Sequence, residues 1–269
     1  MSVGAKGEHL AGLSDGIARN WMSCGFACDA LSSSATISAR EVSTLFHEWG
    51  HLCAGLLSST ELHCFGGNRG SHDHLEIPSA LFECLLSEEE VAQKLLGCVT
   101  GGGFSDEVSA QIGNQTLLRS RDKGRDVQVF RAMESPFVGL GELKCGMLAL
   151  LDLQLHGATE VDAVEAFSAL QREFGVEDVS VFPRVGIDQL ESLSSYGARY
   201  YSYPFTRVVA ANMWEALKGD APLLAGTAGK NLRSKFLRFG GAADPQRLLT
   251  DVLQGAPMTD MAAMQQVYL

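Results

Sequence analysis

Two histidines four residues apart, His47 and His51, enclose Glu48, Trp49 and Gly50. On an α-helix that spacing sets both imidazoles on one face, which is how a helix offers two nitrogen ligands to one metal ion. A catalytic zinc site takes three protein ligands and keeps a position for water or substrate. Glu76, 25 residues beyond His51, is the third ligand expected. Glu48 lies too far round the helix to reach the same ion, and its carboxylate is the natural acceptor for a proton from water activated there. One Zn2+ ion is the implied cofactor. The plainer alternative for any such pair is two amphipathic or surface histidines with no metal role.

Those side chains need two rigid supports. Ser38 with Glu41 fits a capping box, and Val42, Leu45, Phe46, Trp49, Leu52, Cys53 and Leu56 recur at helical spacing. The pattern predicts a helix over 39–57 with an apolar stripe. A loop over 58–73, broken by Gly66, Gly67 and Gly70, must then double back to return Glu76 to the imidazoles. Glu76 is expected on the next helix, with Pro78 in the first turn, where a missing N–H costs nothing. Leu81, Phe82 and Leu85 give that helix its buried stripe. Of the nearby carboxylates, Asp73 can orient a ligand imidazole or be an ordinary solvated side chain with equal weight, and Glu83, one helix repeat after Glu76, can support the same ligands, although the solvated reading is preferred for it.

Phe46 before the motif, Gly50 inside it, the glycine-rich return, and then Asp73-His74-Leu75-Glu76-Ile77-Pro78-Ser79 carry a resemblance. The arrangement resembles the thimet oligopeptidase and mitochondrial intermediate peptidase family, whose members read His-Glu-Phe-Gly-His and then Asp-Phe-x-Glu-x-Pro-Ser at the same distance. A second stretch, Ser194-Ser195-Tyr196-Gly197-Ala198-Arg199-Tyr200-Tyr201-Ser202-Tyr203, is similar to the family's Gly-Tyr-Gly-Ala-x-Tyr-Tyr-Ser-Tyr segment. Read alone, Tyr196, Tyr200 and Tyr203 on a helix share a face and would pack their rings in a core. The resemblance implies instead that tyrosine hydroxyls face a zinc cleft, with Tyr200 and Tyr203 as donors to the oxyanion. It further implies a mainly α fold: a zincin-like helical catalytic domain with little or no sheet, like the C-terminal part of a thimet-type oligopeptidase.

Elsewhere the pattern predicts helices from Ser87 and Glu90 through Leu96, over 105–119, and over 127–156 with Leu143, Met147, Leu150, Leu151 and Leu155 inward. His156 closes the last of these as a capping cation rather than a ligand. Thr159 is expected to cap a helix over 160–173, and further helices are expected over 205–218, 228–239, 245–254 and 258–267. Residues 1–36 give no clear element, there are no internal repeats, and strand signals are scarce.

The chain of 269 residues, 46% hydrophobic, is long enough for one large domain. Its 21 basic and 32 acidic residues give a net charge of -11 with no basic run, which excludes nucleic acid as an expected partner. The seven cysteines form no disulfide-like framework, so reduced thiols inside a cell are expected, and Cys24 with Cys28 lacks a second pair at zinc-finger spacing. No apolar run approaches the ~18 residues a membrane span needs, so no membrane insertion is expected. The first twenty residues have neither the charge of a transit peptide nor a signal-peptide core. By resemblance the location is mitochondrial, with the cytoplasm as alternative.

Two departures qualify the match. Family members carry a His four or five residues before the tyrosine matching Tyr196, where this chain has Glu191 and Ser192. The resemblance also covers only the C-terminal part of a longer family chain, so residues 1–269 are expected to form a single helical catalytic region without the family's N-terminal helical domain. Association through the apolar surface left by that missing half is a further expectation. The function implied is a zinc metalloendopeptidase acting on short peptides or unfolded presequence segments. The alternative is a truncated, catalytically weak zinc-binding protein with a peptide-binding or regulatory role.

Overall fold

A computed structural model describes residues 22–24, 39–91, 111–112, 115–116, 138–176, 193–218 and 226–263. The first helix, α1 (Ala39–Leu57), matches the predicted span. Its apolar stripe is not the face that packs. Trp49 and Leu56 are exposed at 47% and 43%, while Gly50 and Ala54 are buried. The packing face runs through 47, 50, 51 and 54, one side of the helix, and its small residues let α1 lie against the element that follows the loop.

That element comes in two parts, α2 (His72–Leu75) and α3 (Ile77–Cys84), with Glu76 at the joint, ending one and preceding the other. Pro78 sits in the first turn of α3 as expected. A Cβ added at Gly50 would meet the Pro78 carbonyl oxygen and come within 2.6 Å of Ser79 Cα. Glycine therefore sets the α1 to α3 distance. The loop is anchored rather than free: Ser59 N–H donates to Arg238 O at 2.8 Å, Gly241 N–H to Phe65 O at 2.8 Å, and Asn68 Nδ2 to His51 O at 3.2 Å. Gly240 has φ +48 and its missing side chain leaves room for the Phe65 carbonyl, two reasons why only glycine suits the position.

The remaining long elements are α4 (Val138–Leu155), α5 (Ala163–Glu173), α6 (Ser202–Lys218), α7 (Thr227–Lys235) and α8 (Pro245–Leu253). One core gathers Ala54 of α1, Ile77, Ala80 and Leu81 of α3, Val209, Met213 and Trp214 of α6, and Leu248 and Val252 of α8. A second joins Met147 and Leu151 of α4 to Phe167 and Leu170 of α5, with Leu193 beneath and Tyr200 against it. The fold is mainly helical, as read from the sequence.

Several expectations are corrected. Gln111–Ile112 and Gln115–Thr116, inside a segment expected as helix over 105–119, pair as a two-residue antiparallel ladder (β1 and β2), Gln111 opposite Thr116. Leu150, expected inward on α4, is 41% exposed. The cap of α5 is Asp162, whose Oδ1 accepts from Val164 N and Glu165 N at 2.9 and 2.8 Å, so the helix starts later than a Thr159 cap would have it. The tyrosine stretch is not a single helix: residues 195–201 form a bend with Gly197 and Ala198 at φ +59 and +64, and α6 starts at Ser202, three residues before the expected 205. Ser38, Cys28, Glu191, Ser192, residues 92–96 of the helix expected through Leu96 and residues 264–267 of the one expected over 258–267 lie outside the described residues.

Because α1 meets α3 at Gly50 with no space for a methyl group, Gly50→Ala should lower stability by about 1–3 kcal/mol, the range for overpacking a tight contact. Chemical denaturation of the two proteins checks it, and an unchanged midpoint would contradict the close approach.

Candidate metal and catalytic site

His47 and His51 project from the packed face of α1, and Glu76 meets them from the joint between α2 and α3. Nε2 of His47 lies 3.4 Å and Nε2 of His51 3.3 Å from Glu76 Oε2. One ligand atom from each of the three residues lies within 4.8 Å of the others, close enough to hold a single metal ion. The two imidazoles stand edge to face, centroids 5.0 Å apart.

His47 and Glu76 are each oriented from behind. Glu83 Oε1 accepts from His47 Nδ1 at 2.6 Å, which fixes the ring with Nε2 turned toward Glu76. Ser79, fully buried, shares its one hydroxyl proton between Glu76 Oε2 at 2.9 Å and the Glu76 carbonyl at 2.8 Å. Glu83 in turn lies 3.9 Å from Nε of Arg207 on α6, whose Nη1 pairs with Glu142 on α4. The orienting carboxylate is therefore Glu83 and not Asp73. Two helical turns separate Glu83 from Glu76, and that spacing was the available signal; the sequence did not reveal how closely α1 approaches this face. Ser79 closes the Glu76-Ile77-Pro78-Ser79 run that carries the resemblance, but its spacing alone does not say that its hydroxyl turns back to Glu76.

The electrostatics of the cluster favour a cation. Burial alone would lower the His47 pKa, yet its bonds to Glu76 and Glu83 outweigh burial and push it up to about 10. Burial likewise works to raise Glu76, but the hydrogen bonds from His47 and His51 dominate and hold it well below the usual carboxylate range. A site in which a partly buried histidine prefers its positive form has surplus negative charge. Two imidazole nitrogens with one carboxylate oxygen form a borderline donor set that suits zinc. His51 Nδ1 is buried with no hydrogen-bond partner among the described residues, while its Nε2 faces Glu76.

Glu48 is 5% exposed, beside His47 on α1. The Cys24 thiol lies near enough for Glu48 to assist burial in raising its pKa, which places segment 22–24 alongside. Cys24 is a free thiol. The three tyrosines of the bend cluster by ring edges: centroids are 5.0 Å apart for Tyr196 and Tyr200, 5.9 Å for Tyr196 and Tyr203, and 5.2 Å for Tyr200 and Tyr203. The hydroxyls of Tyr196 and Tyr203 are 3.1 Å apart. Burial, the bond to Tyr196 and the charge of Glu76 raise the Tyr203 pKa, so Tyr203 stands within the field of the Glu76 carboxylate. Burial, with Cys145 and Tyr196 nearby, pushes Tyr200 up to about 12. Both phenols keep their protons at neutral pH. His156 closes α4, its Nδ1 2.9 Å from the Asp152 carbonyl, in the capping position expected.

A model of peptidase family M3 matches residues 11–267. The chain belongs to peptidase family M3. Similar relatives include the mitochondrial intermediate peptidase of Arabidopsis thaliana, 32% identical over 240 residues, covering 85% of this chain and 30% of the relative. The mitochondrial intermediate peptidase of Candida albicans is 28% identical over 215 residues, covering 79% of this chain and 26% of its own length. That of Candida glabrata is 26% identical over 257 residues, covering 91% and 31%. The chain thus spans between a quarter and a third of the curated relatives it matches.

Because Glu83 fixes the His47 ring, Glu83→Gln should weaken metal affinity by about 10–100-fold, the usual effect of losing such a partner. Competition with a chelator of known affinity reads this directly. Affinity equal to that of the unaltered chain would remove Glu83 from the support of the site.

Proposed function

We propose that this M3-family chain is a zinc-dependent metalloendopeptidase, hydrolysing bonds in short peptides or unfolded presequence segments. The observation that carries the reading is the convergence of His47, His51 and Glu76 beside a buried Glu48 on the same helix. These three residues would hold the ion, and zinc bound there would polarise the scissile carbonyl and lower the pKa of water towards about 7. Glu48 takes the proton from the attacking water and passes it to the leaving amine. Its burial keeps the carboxylate clear of bulk water, which supports that role.

Tyr200 and Tyr203 donate to the oxyanion that forms on the substrate carbonyl. Raised phenol pKa values keep these groups as donors through the working range, and a donor aimed at developing charge in a dry cleft contributes about 3 kcal/mol. Residues 1–269 act as one helical catalytic region in this reading. The names of the relatives support a mitochondrial location, with the cytoplasm as alternative. Among the described residues no helix is long and apolar enough to cross a membrane. Exposed Trp49 and Leu56 on α1 and Leu150 and Leu153 on α4 support association with further polypeptide.

Three outcomes check the proposal. Glu48→Gln should keep stoichiometric zinc while cleavage of an internally quenched peptide falls by about 10²–10⁴-fold; zinc retained with no cleavage even before substitution favours the weak, regulatory alternative. Tyr203→Phe should lower kcat by roughly 10²-fold with little change in KM, and equal kcat in the two proteins would remove it from the oxyanion site. Sedimentation at micromolar concentration should show self-association, whereas a single monomeric species would count against the apolar faces as interfaces.

A further inference from the structure

Asp152, near the end of α4, is fully buried and is not among the residues that the proposed chemistry uses. Its Oδ2 accepts the Tyr200 N–H at 2.8 Å and its Oδ1 the Ala198 N–H at 3.2 Å. Nδ1 of His156, one turn later, lies 2.9 Å from the same Oδ1. A buried carboxylate is costly unless its lone pairs are taken up, and here the partners come from one bend some fifty residues away in sequence and from its own helix. The bend needs such a support. Ala198, a residue with a Cβ, is held at φ +64, a conformation that an unsupported chain leaves readily. The rings that follow have few choices once Ala198 and Tyr200 are pinned, because Tyr203 lies in the first turn of α6 and its hydroxyl bonds back to Tyr196 across the bend.

We propose that Asp152 is the positioning residue of the tyrosine bend: by holding the Ala198 and Tyr200 amides, its carboxylate sets where the Tyr200 and Tyr203 hydroxyls stand, and so governs turnover rather than substrate affinity. The inference rests on the oxyanion role given to those tyrosines for its kinetic part, and on geometry alone for its structural part. Asp152→Asn is the discriminating change. It preserves shape but offers one acceptor and one NH2 group to two backbone donors, so one amide bond is lost.

Amide hydrogen exchange and peptide kinetics on the full chain together form the test. In the unaltered protein the Ala198 and Tyr200 amides are slow to exchange; in Asp152→Asn they exchange at least about 10-fold faster, and kcat falls by about 10–100-fold with KM within about 2-fold, as expected of displacing a reacting group by an ångström or less. Zinc content stays the same. In a Tyr200→Phe, Tyr203→Phe background, Asp152→Asn adds no further loss, because Asp152 acts through those hydroxyls. Unprotected amides in the unaltered protein overturn the inference, and so does Asp152→Asn with wild-type exchange and kcat. Should Asp152→Asn fail to fold, protection of the two amides in the unaltered protein decides alone. If the tyrosine variants keep full kcat while Asp152→Asn still frees the amides, the oxyanion reading falls and the positioning of the bend stands.

Discussion

The site depends on the contact between α1 and α3, where the backbone of Gly50 lies against Pro78 and Ser79. His47 and His51 flank that glycine on the same helix face, and Glu76 and Ser79 flank the contact on the other side. A larger residue at 50 would push apart the helices that carry the three-residue cluster, and 4.8 Å leaves little room for that. The glycine inside the motif is therefore a distance setting. Close packing is rigid against small displacements, which is why it can hold a coordination geometry that a loop could not.

Around this contact the charges are ordered by distance from the cluster. Glu76 bears directly on both imidazoles, Glu83 holds His47 from behind, Arg207 faces Glu83, and Glu142 meets Arg207. Alternating sign along that row lets several partly buried groups keep their charge. Glu142 still feels the cost: burial raises its pKa against the pull of Arg207. Near the imidazoles the balance stays negative, which is the condition for attracting a divalent ion.

What was legible in the sequence follows from which signals are local. The 39–57 helix, the meeting of His47 and His51 with Glu76, and the first-turn Pro78 are set by spacings within one element or by a short loop, and each stands where the pattern put it. The orienting carboxylate and the buried face of α1 are set by how helices meet, which periodicity does not encode. Trp49 and Leu56 form a good apolar stripe and remain exposed, because the close approach selects glycine and alanine. The tyrosine bend was not legible for a different reason. Helical spacing of Tyr196, Tyr200 and Tyr203 is real, but Gly197 and Ala198 adopt left-handed conformations that a buried carboxylate on another helix compensates. A partner so remote in sequence leaves no local trace.

Helix α6 joins the two halves of this arrangement. Its first turn carries Tyr203 into the field of Glu76, and one turn later Arg207 reaches both Glu83 and Glu142. Beyond that, Val209, Met213 and Trp214 enter the core that also holds α1 and α3, while the bend before it leans through Tyr200 on the core of α4 and α5. A shift of α6 along its axis would therefore move the phenols and the support of His47 together. Groups drawn from separate cores would otherwise drift independently, each within its own packing tolerance. Running the bend that rests on one core directly into the helix that enters the other ties their separation to one continuous stretch of chain, and a rigid helix is stiffer along its length than a loop.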